Sequence, residues 1–243
     1  MKNLRALIKV EAYFTLRNWQ SLVMAIGMPL AFYLLFSGIY QMEMPYSYRV
    51  FMMISMTASS LLSFNVFALP YNLTEDKHSN WRRFLHHSPV SVVQYYLVKA
   101  LRFALLYSLA IGVVFGFGGL VRQITLPVGD YFMVILILLV GMIPFSFIGA
   151  LISYLPSEET ISMVGNIAFM AMSLLGGLWM PLMLFPQWMQ NLAKWIPSYH
   201  LMQIIQNWYT NRIWAWDSIF ALVAYGICFL ILIALVQRKV EVK

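Results

Sequence analysis

Side chains able to do chemistry are scarce in this chain, and most of them crowd into one stretch: Glu75, Asp76, Lys77, His78, Trp81, Arg82, Arg83, His86 and His87. Three of the four histidines fall there, without acidic or cysteine partners at metal-ligand spacing. No H-E-x-x-H pair occurs, and no two aspartates share an apolar run, so a membrane protease is excluded as the natural reading. A phosphate-cradling G-x-x-x-x-G-K-[ST] is absent too; Gly116-Phe117-Gly118-Gly119 is glycine-rich, but no lysine follows it. If ATP drives this protein, another chain hydrolyses it.

What the crowded stretch offers instead is a contact. It is charged at its start (Glu75, Asp76, Lys77) and then sets Trp81, Phe84 and Leu85 beside Arg82 and Arg83. As a short helix this is an aromatic-apolar knob flanked by cations, suited to a groove on a soluble partner. A loop that served only as a solvated topology signal would have little use for Trp and Phe.

The elements that carry this loop are apolar. Six runs of about 20 residues, 22–40, 50–69, 97–120, 131–155, 161–184 and 219–236, take up most of the 243 residues. Each is long enough to cross a hydrocarbon core of about 30 Å as a helix. With 61% hydrophobic and only 10% charged residues, too little polar chain remains to wrap six such helices in water. The expected fold is therefore an all-α membrane protein of six transmembrane helices forming one domain, 1–243. If the N-terminus is inside, only Arg49, Arg122, Lys194 and Arg212 of the sixteen basic residues fall outside, a positive-inside pattern with both termini cytoplasmic. No cleavable signal peptide is expected, since the first apolar run is too long and lacks a small-residue cleavage site. The single cysteine, Cys228, lies inside the last run.

Outside the spans, residues 1–19 set an Arg5–Lys9–Tyr13–Arg17 ridge against a modest apolar stripe, interrupted by Glu11. They read as an amphipathic helix in the cytoplasmic interface, with Trp19 at headgroup depth. Ser157 is the expected N-cap of the fifth helix, with Glu158 and Glu159 at its positive end. In the long outer connection, Phe185, Trp188, Leu192 and Trp195 recur at helical spacing, Pro186 suits a first turn and Pro197 would end the helix. With the mixed stretch 200–208, the region 185–208 reads as short helices dipping into the outer leaflet. Gly112 and Gly116 match a helix-packing G-x-x-x-G, satisfied equally by packing within one subunit or between two. Lys99 and Arg102, near the start of the third span, are expected to snorkel to the interface. No charge sits mid-span, which argues against an ion-coupled carrier.

The cytoplasmic stretch resembles the segment of ABC-2 type transporter permeases whose pattern runs E-R-E-x-G-T-L-E-R-L and then T-P-V-S. Glu75, Trp81, Arg83 and Phe84 match it, and Ser88-Pro89-Val90-Ser91 matches its ending; Ser79 stands where glycine is usual and Asn80 where threonine is. Phe185-Pro186-x-Trp188-x-Gln190 leading to Pro197 is similar to the family's re-entrant segment, and the basic N-terminal elbow and six-span plan agree.

The resemblance implies the permease half of an ATP-driven exporter in a bacterial cytoplasmic membrane: two permease copies (or two homologous permeases) with two cytoplasmic ATPase subunits. No catalytic site, metal or cofactor is expected in this chain, ATP and Mg belonging to the partner. Residues 72–91 would be the coupling loop, with Glu75, Asp76, Trp81, Arg82, Arg83, Phe84 and Leu85 engaging the ATPase. The family's path runs at the subunit interface along the second and fifth spans. Here these carry Ser59, Ser63, Asn65 and Phe67, and Ser162, Asn166, Phe169 and Ser173 near one helical face, followed by Met180. Such a mixture suits an amphipathic or apolar cargo better than a bare ion. Drug, lipid, peptide antibiotic and polysaccharide precursor all stay open as cargo. A non-transporting sensor or scaffold subunit would carry the same docking loop; a secondary multidrug carrier would need the mid-span ionisable group this chain lacks.

Overall fold

In the computed structural model, the described residues are 2–17, 19–39, 45–78 and 91–241, and they are helical with no strand among them. In chain order the helices are α1 (Lys2–Arg17), α2 (Trp19–Ile39), α3 (Tyr46–Ser63), α4 (Leu69–His78), α5 (Val92–Arg122), α6 (Val128–Gly141), α7 (Ile143–Ile152), α8 (Glu158–Met170), α9 (Gln187–Ala193), α10 (Pro197–Asn211) and α11 (Trp216–Glu241). Two π-helical turns interrupt them. Phe64–Ala68 joins α3 to α4 without a break, and Ala171–Leu175 extends α8.

Local chemistry sets several helix ends. Ser91 opens α5 with a capping box, its hydroxyl accepting from the Gln94 backbone while the Gln94 side chain accepts from Ser91. Ser157 caps α8 as its sequence position suggests, accepting from the Thr160 amide at 3.2 Å. Pro197, by contrast, does not end a helix. It opens α10, where its missing N–H removes no bond, and α9 stops earlier, at Ala193.

Among the described residues, four helical stretches are long and apolar enough to cross a bilayer: Tyr46–Lys77, Leu97–Arg122, Val128–Ile152 and Trp216–Arg238. Leu7–Arg17 and Leu22–Gly38 pass the same test together, bent by 56° to each other. The apolar run 161–184 does not become one helix. It breaks after Leu175, because Gly177 takes a φ of +78°, a left-handed conformation open to glycine at no steric cost.

The stretch Tyr46–Lys77 is the axis of the molecule. Within its most apolar part 89% is buried, against 11% for Trp216–Arg238 at the periphery. Around the axis pack α2, α5, α7, α8 and α10, through Met53, Leu61, Phe64, Val114, Phe145 and Leu201 among others. The outward sides of α5, α6 and α11 expose Leu105, Leu109, Phe132, Leu136, Phe220, Ile227 and Ile231. That much apolar surface is stable only against hydrocarbon.

Ion pairs mark the two ends of the bundle. At the end where α3 begins, Arg212, at the left-handed C-cap of α10, meets Asp130 at 2.7 Å. At the opposite end, where α4 finishes, lies a larger cluster.

Candidate functional site

The end of α4 leads directly into residues 79–90, so whatever holds Asp76 and Lys77 holds the base of that stretch. Trp81, Arg82, Arg83, Phe84 and Leu85 lie outside the described residues; Glu75 is exposed on the last turn of α4. Asp76 and Lys77 reach in different directions. Asp76 meets the Lys99 ammonium at 2.6 Å and accepts from the Tyr95 hydroxyl. Lys77 donates to the Ser153 carbonyl at 2.8 Å and lies 3.6 Å from the centre of the Tyr154 ring. Gln237 of α11 in turn donates to the Tyr154 hydroxyl at 2.8 Å.

Lys99 and Arg102 do not snorkel. Lys99 is buried and also meets Glu11 at 3.3 Å, and Arg102 meets the other oxygen of Glu11 at 2.6 Å. The physical reason is Glu11, which appears in sequence only as an interruption of the α1 ridge. It turns inward with Leu7 and supplies a carboxylate where the lysine stem would otherwise climb toward water. Two cations and two carboxylates make this node neutral, and Asn72 accepts a further bond from Lys99. Removing one partner from such a buried pair typically costs about 3–5 kcal/mol, because the remaining charge is left bare.

A second polar centre lies at membrane depth, in the first π turn. Asn65 is fully buried; its oxygen accepts from the Tyr107 hydroxyl at 2.7 Å and the Ser146 hydroxyl at 2.8 Å, and its amide donates to the Leu61 carbonyl at 3.1 Å. One side chain thus joins the axis to α5 and α7. At Gly149 of α7 a methyl group would overlap the Asn65 carbonyl oxygen, so glycine is what lets that helix approach. The other candidate path residues of the axis are also engaged internally. Ser59 accepts from the Trp179 indole N–H at 3.0 Å, and Ser63 donates to the Ser60 carbonyl at 2.7 Å.

The candidate residues of α8 and the turn after it differ in exposure. Asn166 is exposed and Ser162 half-buried, whereas Phe169 and Ser173 are buried. Phe169 turns inward to Phe67 at 5.4 Å between ring centres and to Trp179 at 5.7 Å. Ser173 falls in the second π turn, whose extra residue rotates everything after it by roughly 100°. Its buried hydroxyl has no hydrogen-bond partner among the described residues. Exposed beside Asn166 are Met163, Ile167 and Met170, with Met180 further on. Trp179 also packs edge-on to Phe32 at 5.4 Å, and Phe32 lies 6.0 Å from Phe36. A row of mostly half-buried rings, Phe36, Phe32, Trp179, Phe169 and Phe67, therefore links α2 through Trp179 to α8 and the axis.

Glu11, Tyr107, Ser146 and Trp179 carry these arrangements, and the sequence singled out none of them for it. Only the presence of one carboxylate in a basic elbow helix hinted at Glu11. In the connection before α11, Trp188, Leu192 and Trp195 are exposed, while α10 buries Leu201, Met202, Ile204 and Ile205. His200 is half-buried between the Lys194 carbonyl at 3.0 Å and the Ser218 hydroxyl at 3.2 Å. Desolvation lowers its pKa from the ordinary 6.5. The Lys194 carbonyl can only accept, so the Nε2 of the neutral ring carries the proton. Among the described residues, no three His, Cys, Asp or Glu side chains converge as a metal site.

Compared with known proteins, residues 44–235 match the model of the family described as "ABC-2 family transporter protein". Over 228 residues, 93% of each chain, the sequence is 28% identical to a Bacillus subtilis (strain 168) protein named "Putative transport permease YvfS".

Proposed function

This chain belongs to the ABC-2 family of transporter proteins, multi-pass membrane subunits of ABC transporter systems that work with an ATPase partner, and from that premise we propose that it is an exporter permease. It moves an amphipathic or lipid-like compound, a drug or an antimicrobial peptide, out of the cytoplasm across a bacterial cytoplasmic membrane. Two permease copies assemble with two copies of a cytoplasmic ATPase, which binds ATP and Mg. The chain crosses the membrane six times with both ends inside, α1 lying in the interface and α9 and α10 on the outer side.

Residues 75–85 dock on the ATPase. The observation that carries this reading is the anchoring of the loop's base. Asp76 and Lys77 are fastened to α5 and to the end of α7, at the foot of an axis whose most apolar part is 89% buried. A push on that loop displaces a rigid element rather than a tether, which is what coupling to a remote ATPase requires.

Cargo passes between α8 and its copy, along the exposed Asn166 face and the ring row from Phe36 to Phe67. Half-buried aromatics and methionine give apolar, adaptable contacts, and single amide and hydroxyl groups orient a polar end. Everted membrane vesicles holding the permease and its ATPase test the direction. A fluorescent amphipathic dye should accumulate in them with ATP and not with a non-hydrolysable analogue. Dye uptake driven by a proton gradient without ATP would overturn the reading in favour of an ion-coupled carrier.

A further inference from the structure

Lys99 sits where three separate parts of the chain meet. Its ammonium bridges Asp76 of α4 at 2.6 Å and Glu11 of α1 at 3.3 Å, from a side chain that is 5% exposed on α5. Arg102, one turn further along α5, takes the second Glu11 oxygen at 2.6 Å. Two cations on one helix therefore hold one carboxylate from the interfacial helix and one from the foot of the cytoplasmic loop. Only Lys77 and His78 separate Asp76 from residues 79–90.

Topology alone needs none of this, since basic residues at a span's end act equally well from the headgroup layer. A buried node of four charges is stable only while all partners stay together, so its members move as one body or come apart at a substantial cost. The outward side of α1 meanwhile exposes Ile8, Tyr13 and Leu16 with Lys9 and Arg17. Its inner side packs on α5, where Glu11 supplies the charged fastening.

We infer that Lys99 is a positioning residue for ATP coupling: by holding Asp76 and Glu11 to one point on α5, it makes α1 move together with the base of the cytoplasmic loop. A displacement of the loop then reaches the membrane interface as well as the axis. The inference rests on the reading that this loop docks on the ATPase.

Paired spin labels test it in the permease copurified with its ATPase. One label replaces Val128 as an outer reference; the second replaces either Tyr13 on α1 or Ser88 in the loop. Distances are compared between the nucleotide-free and the ATP–vanadate-trapped complex. Glu11→Gln cuts the α1 arm of the node with almost no change of shape, Lys99→Met cuts the pairs to Glu11 and Asp76 at their common point, and Lys99→Arg keeps the charge. In the wild type and in Lys99→Arg, both second labels should shift on trapping. In Glu11→Gln and Lys99→Met, the Ser88 label should shift as before and the Tyr13 shift should disappear. If Glu11→Gln fails to insert, Lys99→Met suffices, because it leaves every docking residue and the Glu11–Arg102 pair in place. A Tyr13 label that still follows in full in Lys99→Met, or that never shifts in the wild type, overturns the inference alone. A Ser88 label that stays still in the trapped wild type overturns the docking reading, and this inference with it.

Discussion

Replacing Asn65 with leucine removes a side chain whose hydrogen bonds join the axis to both α5 and α7. Leucine keeps the branched four-atom skeleton, so no cavity opens; its methyl groups are bulkier than the amide, a packing cost that cancels in the double-mutant cycle below. Tyr107 then loses its Asn65 acceptor and must turn to the neighbouring Ser146 hydroxyl, while Ser146 keeps a longer alternative, the Met142 carbonyl at 3.4 Å. A buried donor left wholly unpaired costs about 1–3 kcal/mol in soluble proteins, whereas hydrogen bonds between membrane helices average about 0.6 kcal/mol and reach about 1.7. With two buried hydroxyls left to weaker partners, Asn65→Leu should destabilise the fold by about 1–3 kcal/mol. The decisive assay is a double-mutant cycle with Tyr107→Phe, read by denaturant unfolding in mixed micelles. If the two groups bond as described, Tyr107→Phe should be far less damaging in the Asn65→Leu background, giving a coupling of about 0.5–1.5 kcal/mol. Additive losses would refute the bond, and with it the joining of the axis to α5 through this side chain.

Gly149→Ala should destabilise by more than about 2 kcal/mol, because its methyl group meets backbone rather than a flexible side chain; Gly112→Ala, with nothing within 4 Å, should be tolerated, as thermal melts of both would reveal. The neutral His200 makes folding pH-dependent. Because its folded pKa lies below 6.5, the unfolded chain binds more protons as pH falls through that value, so stability should drop there; His200→Gln should flatten the melting temperature between about pH 7 and 5, and an unchanged slope would refute this cause. Cysteines at Asn166 and Met170 should crosslink between permease copies in membranes, and one at the buried Ser173 should not; crosslinking at Ser173 alone would reverse the orientation given to α8.

The apolar runs and the Ser157 cap were legible because they depend on composition and on contacts a few residues away. The charged node around Lys99 was not, since Glu11 meets Arg102 across 91 positions and no periodicity reports such a distance. The inward turn of Ser173 was hidden for a different reason. A π turn changes the helical register without any apolar or polar signature, so faces drawn at 3.6 residues per turn drift once it is passed. The break at Gly177 was masked by composition, because glycine counts as apolar while its backbone leaves the helix. At Gly112 and Gly116, the spacing left packing within the subunit as an option. Both glycines lie on an exposed face of α5, and a methyl group at either would meet no atom of the described residues within 4 Å beyond its own turn of helix, so the motif is not used for close packing among them.

The central claim is that this chain is the membrane half of an ABC exporter whose ATPase docks on residues 75–85. Its most direct measurement is affinity purification of the tagged permease from its native membrane, beside a Trp81→Ala/Phe84→Ala variant inserted at equal levels. The wild type should bring down an ABC ATPase in equal amount and raise its ATP hydrolysis, and the variant should lose the stimulation or the partner altogether. An ATPase that binds and responds equally well to the variant would contradict the docking role of the loop, and the absence of any ATPase from the wild-type preparation would contradict the claim itself.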